Sequence, residues 1–443
     1  SRHQERGFAL MMQTSGTTSN PKRVFLTHSQ LMTTTEGIIE AFSLSPSDVC
    51  LNPMPFQHLH GLVTAGLSTL LGGGSMVCLD SFSPVEFMTA YERFSPTWLT
   101  GSPAMHIALL DHFVRHPDSV PVRGLRFLRS SSAPLPAAII DDLEQIFQAP
   151  LIETYGLTET ASMITTNPLP PGNRKTGSVG VACSGAEIAI LVDSVEKIDT
   201  GVGEVLVRGP SVILHYGEQP HMDAENFYGD WLRTGDLGYI DADGYLFITG
   251  RAKELIKRGG ISVHPGEIDN ALMAMPEVSD AASFSVPHPS LGEDVVSLVV
   301  VAPGTDADAL RARLFEHMSS YKIPSAVIPI DSIPKSETGK IVRRTLSVQM
   351  AGLLATAGLP ADDPFEARLL DAWRAELGRD DIGITDNLFL HGADPMKASE
   401  FQKKHPQFTP PSIRNFWFAH PTVRSQIQKL RALDQLDQMD EVL

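Results

Sequence analysis

Thr14-Ser15-Gly16-Thr17-Thr18-Ser19-Asn20-Pro21-Lys22 is the stretch on which the fold turns. An apolar run at residues 8–13 reads as a strand leading into it. Hydroxyls and free backbone N–H groups can wrap a polyphosphate, and a Lys neutralises its charge. The G-x-x-x-x-G-K-[ST] pattern of a Walker A loop is absent. A plain Ser/Thr-rich turn would use the same residues.

Outward from this loop, residues 76–79, 98–100 and 125–129 read as strands. Residues 29–42, 84–94, 105–116 and 137–147 carry helical spacing between them. Strands alternating with helices imply parallel βαβ units. Residues 176–250 change character: 179–182, 187–192, 203–208 and 245–250 are short strands between Gly and Asp turns, which predicts a β-rich subdomain. From residue 252 a charged segment leads into a helix (267–275), strands (281–286 and 295–301) and a helix (306–318), a small α+β domain. Residues 351–364 are rich in Ala, Gly, Pro and Asp and read as a linker. Helical patterns at 365–377, 413–418 and 422–433 predict a small bundle. The expected fold is therefore α/β. A large domain at 1–251 contains the β-rich subdomain, a small α+β domain spans 252–350, and a helical bundle spans 365–433.

The bulk numbers agree with several domains, since 443 residues at about 150 per domain make about three. Apolar residues are 42% and charged residues 20%, ordinary for a globular chain. A formal net charge of −17 repels phosphate backbones and argues against nucleic acid as a partner, while a local cluster of donors can still hold ATP. Cys50, Cys78 and Cys183 are scattered with no CxxC pair, which fits a reducing compartment rather than a disulfide framework or zinc site. The charged opening at residues 1–6 does not read as a secretory signal, so the expected location is cytoplasmic. Residues 61–79 lack charge, but Gly72-Gly73-Gly74 would break a spanning helix. A buried helix (62–71), a turn and a strand (75–79) are expected instead, with no membrane span.

More motifs follow in order. Pro55-Phe56-Gln57-His58-Leu59-His60-Gly61 offers an imidazole that can hydrogen-bond a carboxylate, or a core histidine. Arg129-Ser130-Ser131-Ser132-Ala133-Pro134-Leu135 is hydroxyl-rich between a strand and a helix. Glu153-Thr154-Tyr155-Gly156-Leu157-Thr158-Glu159-Thr160 combines an aromatic ring, a hydroxyl and a carboxylate; the alternative use of Thr158 is as a surface helix cap. Trp231-Leu232-Arg233-Thr234-Gly235-Asp236 places a carboxylate after a Thr-Gly turn. Gly250-Arg251-Ala252-Lys253-Glu254 and Pro334-Lys335-Ser336-Glu337-Thr338-Gly339-Lys340 complete the series.

This ordered set, from Thr14 to Lys340, resembles the adenylate-forming superfamily of acyl-CoA synthetases, peptide-synthetase adenylation domains and luciferases. The resemblance covers about three quarters of the chain, and its Pro-x-x-His-x-x-Gly motif is of the acyl-CoA synthetase kind. It implies ATP-dependent activation of a carboxylic acid as acyl-AMP, then thioester formation with CoA, with Mg²⁺ as cofactor. By the same resemblance Thr14, Ser15, Gly16, Thr17, Thr18 and Lys22 hold the β- and γ-phosphates, with Ser19 and Arg23 standing where glycines are usual. His58 gates the acyl tunnel, with Gln57 in place of Phe. Ser132, Ala133 and Pro134 pack on adenine and the acyl group. Tyr155 stacks on adenine with Gly156 beside it in the nucleotide site, Thr158 bonds the α-phosphate and Glu159 holds Mg²⁺. Asp236 accepts both ribose hydroxyls and Arg251 reaches the ribose. Lys253 is the hinge between catalytic domains, Lys257, Gly259 and Gly260 belong to the thioester loop, and Lys340 enters for adenylation only.

The resemblance further implies about 150 residues ahead of the phosphate loop, a domain's worth. The chain is therefore expected to be a fragment, or to be completed by another chain. Asn387-Leu388-Phe389-Leu390-His391-Gly392-Ala393-Asp394-Pro395-Met396 resembles the signature of acyl- and peptidyl-carrier domains, with Pro395 at the Ser that takes phosphopantetheine. Proline has no hydroxyl, so no covalent phosphopantetheine is expected at Pro395. Two other readings remain at this point: a module loading an acyl group onto the phosphopantetheine thiol of a carrier protein, and a non-catalytic pseudoenzyme. The residues leave the acid open among small polar, aromatic and medium acyl groups.

Overall fold

A computed structural model describes residues 7–14, 22–121, 123–192, 195–197, 201–216, 223–335, 341–350, 359–408 and 416–432. The chain divides into two compact units, the first comprising Ser1–Lys253 and Glu337–Lys340, the second Glu254–Ser336 and Ile341–Leu443.

In the first unit, β1 (Phe8–Thr14) and β2 (Lys22–Thr27) form an antiparallel hairpin, a two-stranded sheet of their own. This corrects the reading of residues 8–13 as one more strand in the βαβ series. β2 feeds directly into helix α1 (His28–Phe42). A reciprocal capping box fixes that start: Thr27 Oγ1 accepts from the Gln30 N–H, and the Gln30 side chain accepts from the Thr27 N–H at 2.9 Å.

The main sheet has the order β4-β3-β5-β6-β7-β8-β9. Its strands are β3 (Val49–Asn52), β4 (Ser75–Cys78), β5 (Trp98–Gly101), β6 (Phe127–Ser130), β7 (Leu151–Tyr155), β8 (Thr165–Thr166) and β9 (Val181–Ala182). From β4 to β7 all pairs are parallel, joined through helices α2 (Ser68–Leu71), α3 (Pro84–Phe94), α4 (Pro103–Arg115) and α5 (Ala137–Phe147). Side chains on a strand alternate between faces. Leu51, Leu99, Leu128 and Leu151 therefore meet Phe87, Phe113 and Phe147 of α3, α4 and α5 on one face. Cys50, Trp98, Phe127 and Ile152 meet Ile38 and Phe42 of α1 on the other. Phe127 stacks on Trp98 at 5.1 Å and on Phe42 at 5.0 Å, so truncating it to Ala would cost about 3–5 kcal/mol.

The charge-free stretch is a π-helix, His60–Leu67, continuing into α2, then the Gly turn and β4. No helix among the described residues is long and apolar enough to cross a membrane.

The β-rich subdomain is an antiparallel sheet of β10 (Glu187–Val192), β11 (Val195–Lys197), β12 (Gly203–Arg208), β13 (Phe227–Tyr228), β14 (Trp231–Ile240) and β15 (Leu246–Arg251). Thr234-Gly235-Asp236 is no turn but part of β14. The register with β12 shifts between Glu204 and Leu206, and Gly235 has φ of +72°, which makes this a bulge.

In the second unit, β16 (Ile256–Arg258), β17 (Ile261–Val263), β18 (Val278–His288), β19 (Gly292–Val301) and β20 (Ala326–Pro329) form one sheet. Helices Pro265–Met273 and Ala307–Leu314 cover one face through Ile268, Leu272, Leu310 and Leu314. Leu346 of helix Arg343–Gln349 covers the other face. The bundle, with helices Pro364–Leu377, Pro395–Lys404, Phe416–Ala419 and Val423–Ala432, belongs to the same unit and keeps its own core. There Trp373 stacks on Phe401 at 3.9 Å and donates from Nε1 to Gln426.

Candidate active site

Parallel sheets bind ligands beyond the carboxyl ends of their strands. At the carboxyl end of β7 stands Tyr155, where the sheet changes from parallel to antiparallel pairing. The chain crosses to β8 through a short connection whose start, Gly156, admits no side chain: a Cβ there would lie 1.5 Å from the Ser162 carbonyl oxygen. A single 3-10 turn, Thr158–Thr160, follows, with Thr158 and Glu159 half-buried on it.

Two constellations form around this connection. In the first, the Tyr155 hydroxyl donates to Asp236 at 2.7 Å, and Arg251 Nε donates to the other Asp236 oxygen at 2.9 Å. The β14 bulge aims Asp236 inward, and the register of β14 with β15 sets it opposite Arg251. Asp236 is only 3% exposed. Burial, and then the adjacent Asp236 carboxylate, push the Tyr155 phenol well above its ordinary value.

In the second, the Tyr216 hydroxyl donates to Glu159 at 3.0 Å, and Lys22 Nζ donates to Asn226 at 2.7 Å. Lys22 Nζ also lies 4.9 Å from the Tyr216 ring centroid, a cation–π contact. Burial lowers the Lys22 pKa, and the Glu159 carboxylate pulls it back up. Lys22 heads β2, and Thr14, its register partner, ends β1, so the hairpin carries the two ends of the expected phosphate loop. Ser15, Gly16, Thr17 and Thr18 lie outside the described residues, as does Lys340.

The remaining expected residues are more dispersed. Ser132, Ala133 and Pro134 are exposed between β6 and α5, while Ser131 Oγ donates to the Thr154 carbonyl. Ser132 has φ of +84°. His58 is half-buried just before the π-helix. Lys253 ends the main segment of the first unit. Lys257, Gly259 and Gly260 belong to the second unit, where β16 and β17 pair Arg258 with Ile261 across the two glycines. Their φ values of +57° and +85° suit a two-residue hairpin turn that requires left-handed backbone at both positions.

A third cluster escaped sequence reading. Arg129, 2% exposed on β6, donates from Nη1 to His60 Nε2 at 2.8 Å and to Thr100 Oγ1 at 3.1 Å. A guanidinium only donates, so His60 Nε2 accepts and its hydrogen sits on Nδ1. Thr100 Oγ1 in turn donates to His60 Nε2 at 2.6 Å. Among the described residues no carboxylate pairs with Arg129, and its Nε has no partner. Burial pushes its pKa down to about 9, still protonated at neutral pH. His106, whose Nε2 bonds the Arg129 carbonyl, is pushed by burial to about 4. A charged residue ending the apolar run Phe127-Leu128-Arg129 was the available signal.

Comparison with known proteins shows the family. Residues 2–216 match the family model of the AMP-binding enzyme, and residues 267–340 that of the AMP-binding enzyme C-terminal domain. The oxalate–CoA ligase of Arabidopsis thaliana is 39% identical over 346 residues, covering 76% of this chain and 67% of that protein. The sulfoacetate–CoA ligase of Cupriavidus necator is 40% identical over 342 residues, covering 76% of this chain and 66% of that protein. Among solved structures, ATP-bound MatB from Rhodopseudomonas palustris superposes with a TM-score of 0.72 at 31% identity, covering 78% of this chain and 69% of that one. The chain thus spans about two thirds of the length of these relatives. On these matches, the chain belongs to the AMP-binding enzyme family, in its acid–CoA ligase branch.

Proposed function

We propose that the chain activates a small carboxylic acid carrying a second anionic group, first as acyl-AMP and then as the CoA thioester. The observation that carries the nucleotide half is the Tyr155–Asp236–Arg251 linkage. A buried carboxylate with two acceptor oxygens suits the ribose cis-diol, and the phenol ring beside Gly156 offers a flat face to adenine. Lys22 and Glu159 supply one cation and one carboxylate toward the triphosphate. Glu159 alone cannot ligate a divalent ion fully, and no cluster of three ligating side chains exists among the described residues. That fits Mg²⁺, which keeps waters and takes phosphate oxygens beside one or two carboxylates. The ion would neutralise phosphate charge.

In this reading an oxygen of the substrate carboxylate attacks the α-phosphorus, and the bond to pyrophosphate breaks. Lys340 stabilises the charge that builds on the α-phosphate. The CoA thiolate then attacks the acyl carbon and AMP leaves. Lys253 is the pivot between the two steps, and the Gly259-Gly260 turn serves the second.

Arg129 supports the acid class. A buried cation without a carboxylate partner is costly unless an anion completes it. The relatives named for oxalate and sulfoacetate act on acids with two anionic groups, which supports the same class here. The test is acid-dependent exchange of labelled pyrophosphate into ATP over oxalate, malonate, sulfoacetate, benzoate and octanoate. Exchange with the first three is expected. Exchange only with benzoate or octanoate would overturn the acid class, and no exchange by folded protein would overturn the adenylation itself. Thioester formation that needs a carrier protein, and not CoA, would favour the carrier-loading alternative.

A further inference from the structure

We propose that the carrier-like bundle is a fixed brace for the Gly259-Gly260 turn, with Asn387 and Asp394 as positioning residues for the thioester step. The proposal rests on the acid–CoA ligase reading and its assignment of this turn to CoA transfer.

Two separate chains of hydrogen bonds run from the bundle to the turn. The first begins at the start of the helix Pro395–Lys404. One Asp394 oxygen caps that helix, accepting from the Lys397 N–H at 2.9 Å, and the other accepts from Ser290 Oγ. Beside it, His288 Nε2 meets the Ala393 carbonyl at 3.1 Å. The N–H groups of Ser290 and Leu291 point at His288 Nδ1, at 3.3 and 3.2 Å. Nδ1 therefore accepts, and Nε2 carries the hydrogen donated to Ala393. Leu291, fixed by that ring, accepts the Gly259 N–H on its carbonyl at 2.9 Å.

The second chain begins at Asn387, whose Nδ2 donates to the Ser325 carbonyl at 2.7 Å. Ser325 Oγ donates to Asp294 and accepts from Arg258 Nη2 at 2.9 Å. Arg258 Nε pairs with Asp294 at 2.8 Å. Arg258 is the residue before Gly259, so both chains end on the same hairpin, one at Gly259 and one at its neighbour.

The apolar contacts agree. Leu390 packs against the core formed by Phe284, Val296 and Leu346, and the Arg311 guanidinium lies 5.9 Å from the Phe389 ring centroid. A carrier domain that ferries a thioester must leave its partner. This bundle instead shares a buried histidine, a carboxylate and core side chains with the small domain, and it has Pro395 where a pantetheine-bearing Ser would stand. Its signature loop has become an anchor.

The experiment separates the half-reactions in the full chain. Asp394→Ala and Asn387→Ala are compared with Asp394→Asn, whose one oxygen can still cap the helix while its amide NH2 can donate to the Ser290 hydroxyl, which accepts as well as donates. Acyl transfer from preformed acyl-adenylate to CoA is measured beside pyrophosphate exchange. The two Ala variants should lose about tenfold in the rate of acyl transfer, the scale of a small misplacement of reacting groups, with exchange within about twofold and transfer retained in Asp394→Asn. Unchanged transfer in both Ala variants overturns the brace. So does a parallel loss of both half-reactions, which would mean general destabilisation. A parent chain that exchanges no pyrophosphate overturns the ligase reading, and the two failures are told apart by that control.

Discussion

The Tyr155 hydroxyl donates to Asp236 across 2.7 Å, joining the end of a parallel strand to a bulge in a separate antiparallel sheet. A hydrogen bond to a charged group contributes about 1.5–3 kcal/mol. Tyr155→Phe should therefore raise the KM for ATP about tenfold with the ring still in place, and Asp236→Ala should raise it about a hundredfold, both read by pyrophosphate exchange at varied ATP. An unchanged ATP KM in Asp236→Ala would remove this carboxylate from nucleotide binding.

Glu159→Gln keeps an oxygen that can accept the Tyr216 hydroxyl but removes the charge. The Mg²⁺ concentration for half-maximal exchange should rise about tenfold, because a hard cation prefers carboxylate oxygen. The melting temperature should stay within about two degrees, since surface-accessible isosteric changes are near neutral. Identical Mg²⁺ curves for parent and variant would count against a metal role.

Lys340→Ala should lower pyrophosphate exchange by about 10²–10³, the scale of removing one group that stabilises transition-state charge. Transfer from preformed acyl-adenylate to CoA should remain. Equal losses in both half-reactions would contradict a role limited to adenylation.

Arg129→Met keeps length and apolar bulk while deleting the buried charge. For an acid with a second anionic group the KM should rise about 10–100-fold, the loss of a charge-assisted bond. Any residual activity on a monocarboxylate should be little changed. A uniform loss across the acid panel would make Arg129 structural.

Glu153 supplies a pH test. Burial raises its carboxyl to about 7 from an ordinary 4.5, although the Gly177 N–H donates to it at 3.0 Å. A raised folded-state pKa means the folded protein binds the extra proton between those two values. Stability from this group is therefore full below about pH 4.5 and is lost as pH rises toward 7. Glu153→Gln should flatten that fall, so its melting temperature relative to the parent should improve from pH 5 to pH 8, as scanning calorimetry would show. A constant difference across that range would refute the assignment.

Much of this was legible in the chain. The parallel core follows from short apolar strands alternating with helices at 84–94 and 137–147. Tyr155 and Asp236 were marked by motif, and the structure brings them together. What stayed hidden depends on distance in sequence. The β1–β2 hairpin was missed because residues 22–27 carry no turn signal of their own and only pairing with Phe8–Thr14 makes them a strand. The ten-residue β14 looked broken by Thr234-Gly235, yet its neighbours β12 and β15 hold a bulge there that local propensity would call a turn. Tyr216, Asn226, Thr100 and His60 gained meaning only from partners 40 to 204 residues away. Their types are too common to stand out alone.

The passage from β7 to β8 has a consequence for how this lineage can vary. Parallel neighbours need long crossovers, and the surfaces of α3 to α5 can absorb insertions and drift. The antiparallel neighbour at Tyr155 is reached by residues 156–164 alone. Gly156 there tolerates no side chain, and the 3-10 turn bearing Thr158 and Glu159 lies inside this short passage. Deep mutational scanning should find this nine-residue passage nearly free of accepted insertions, while the helix surfaces take them readily. On the roles proposed for Glu159 and Arg129, the chemistry sits in a short sentence that cannot be paraphrased, while acid preference can change on β6.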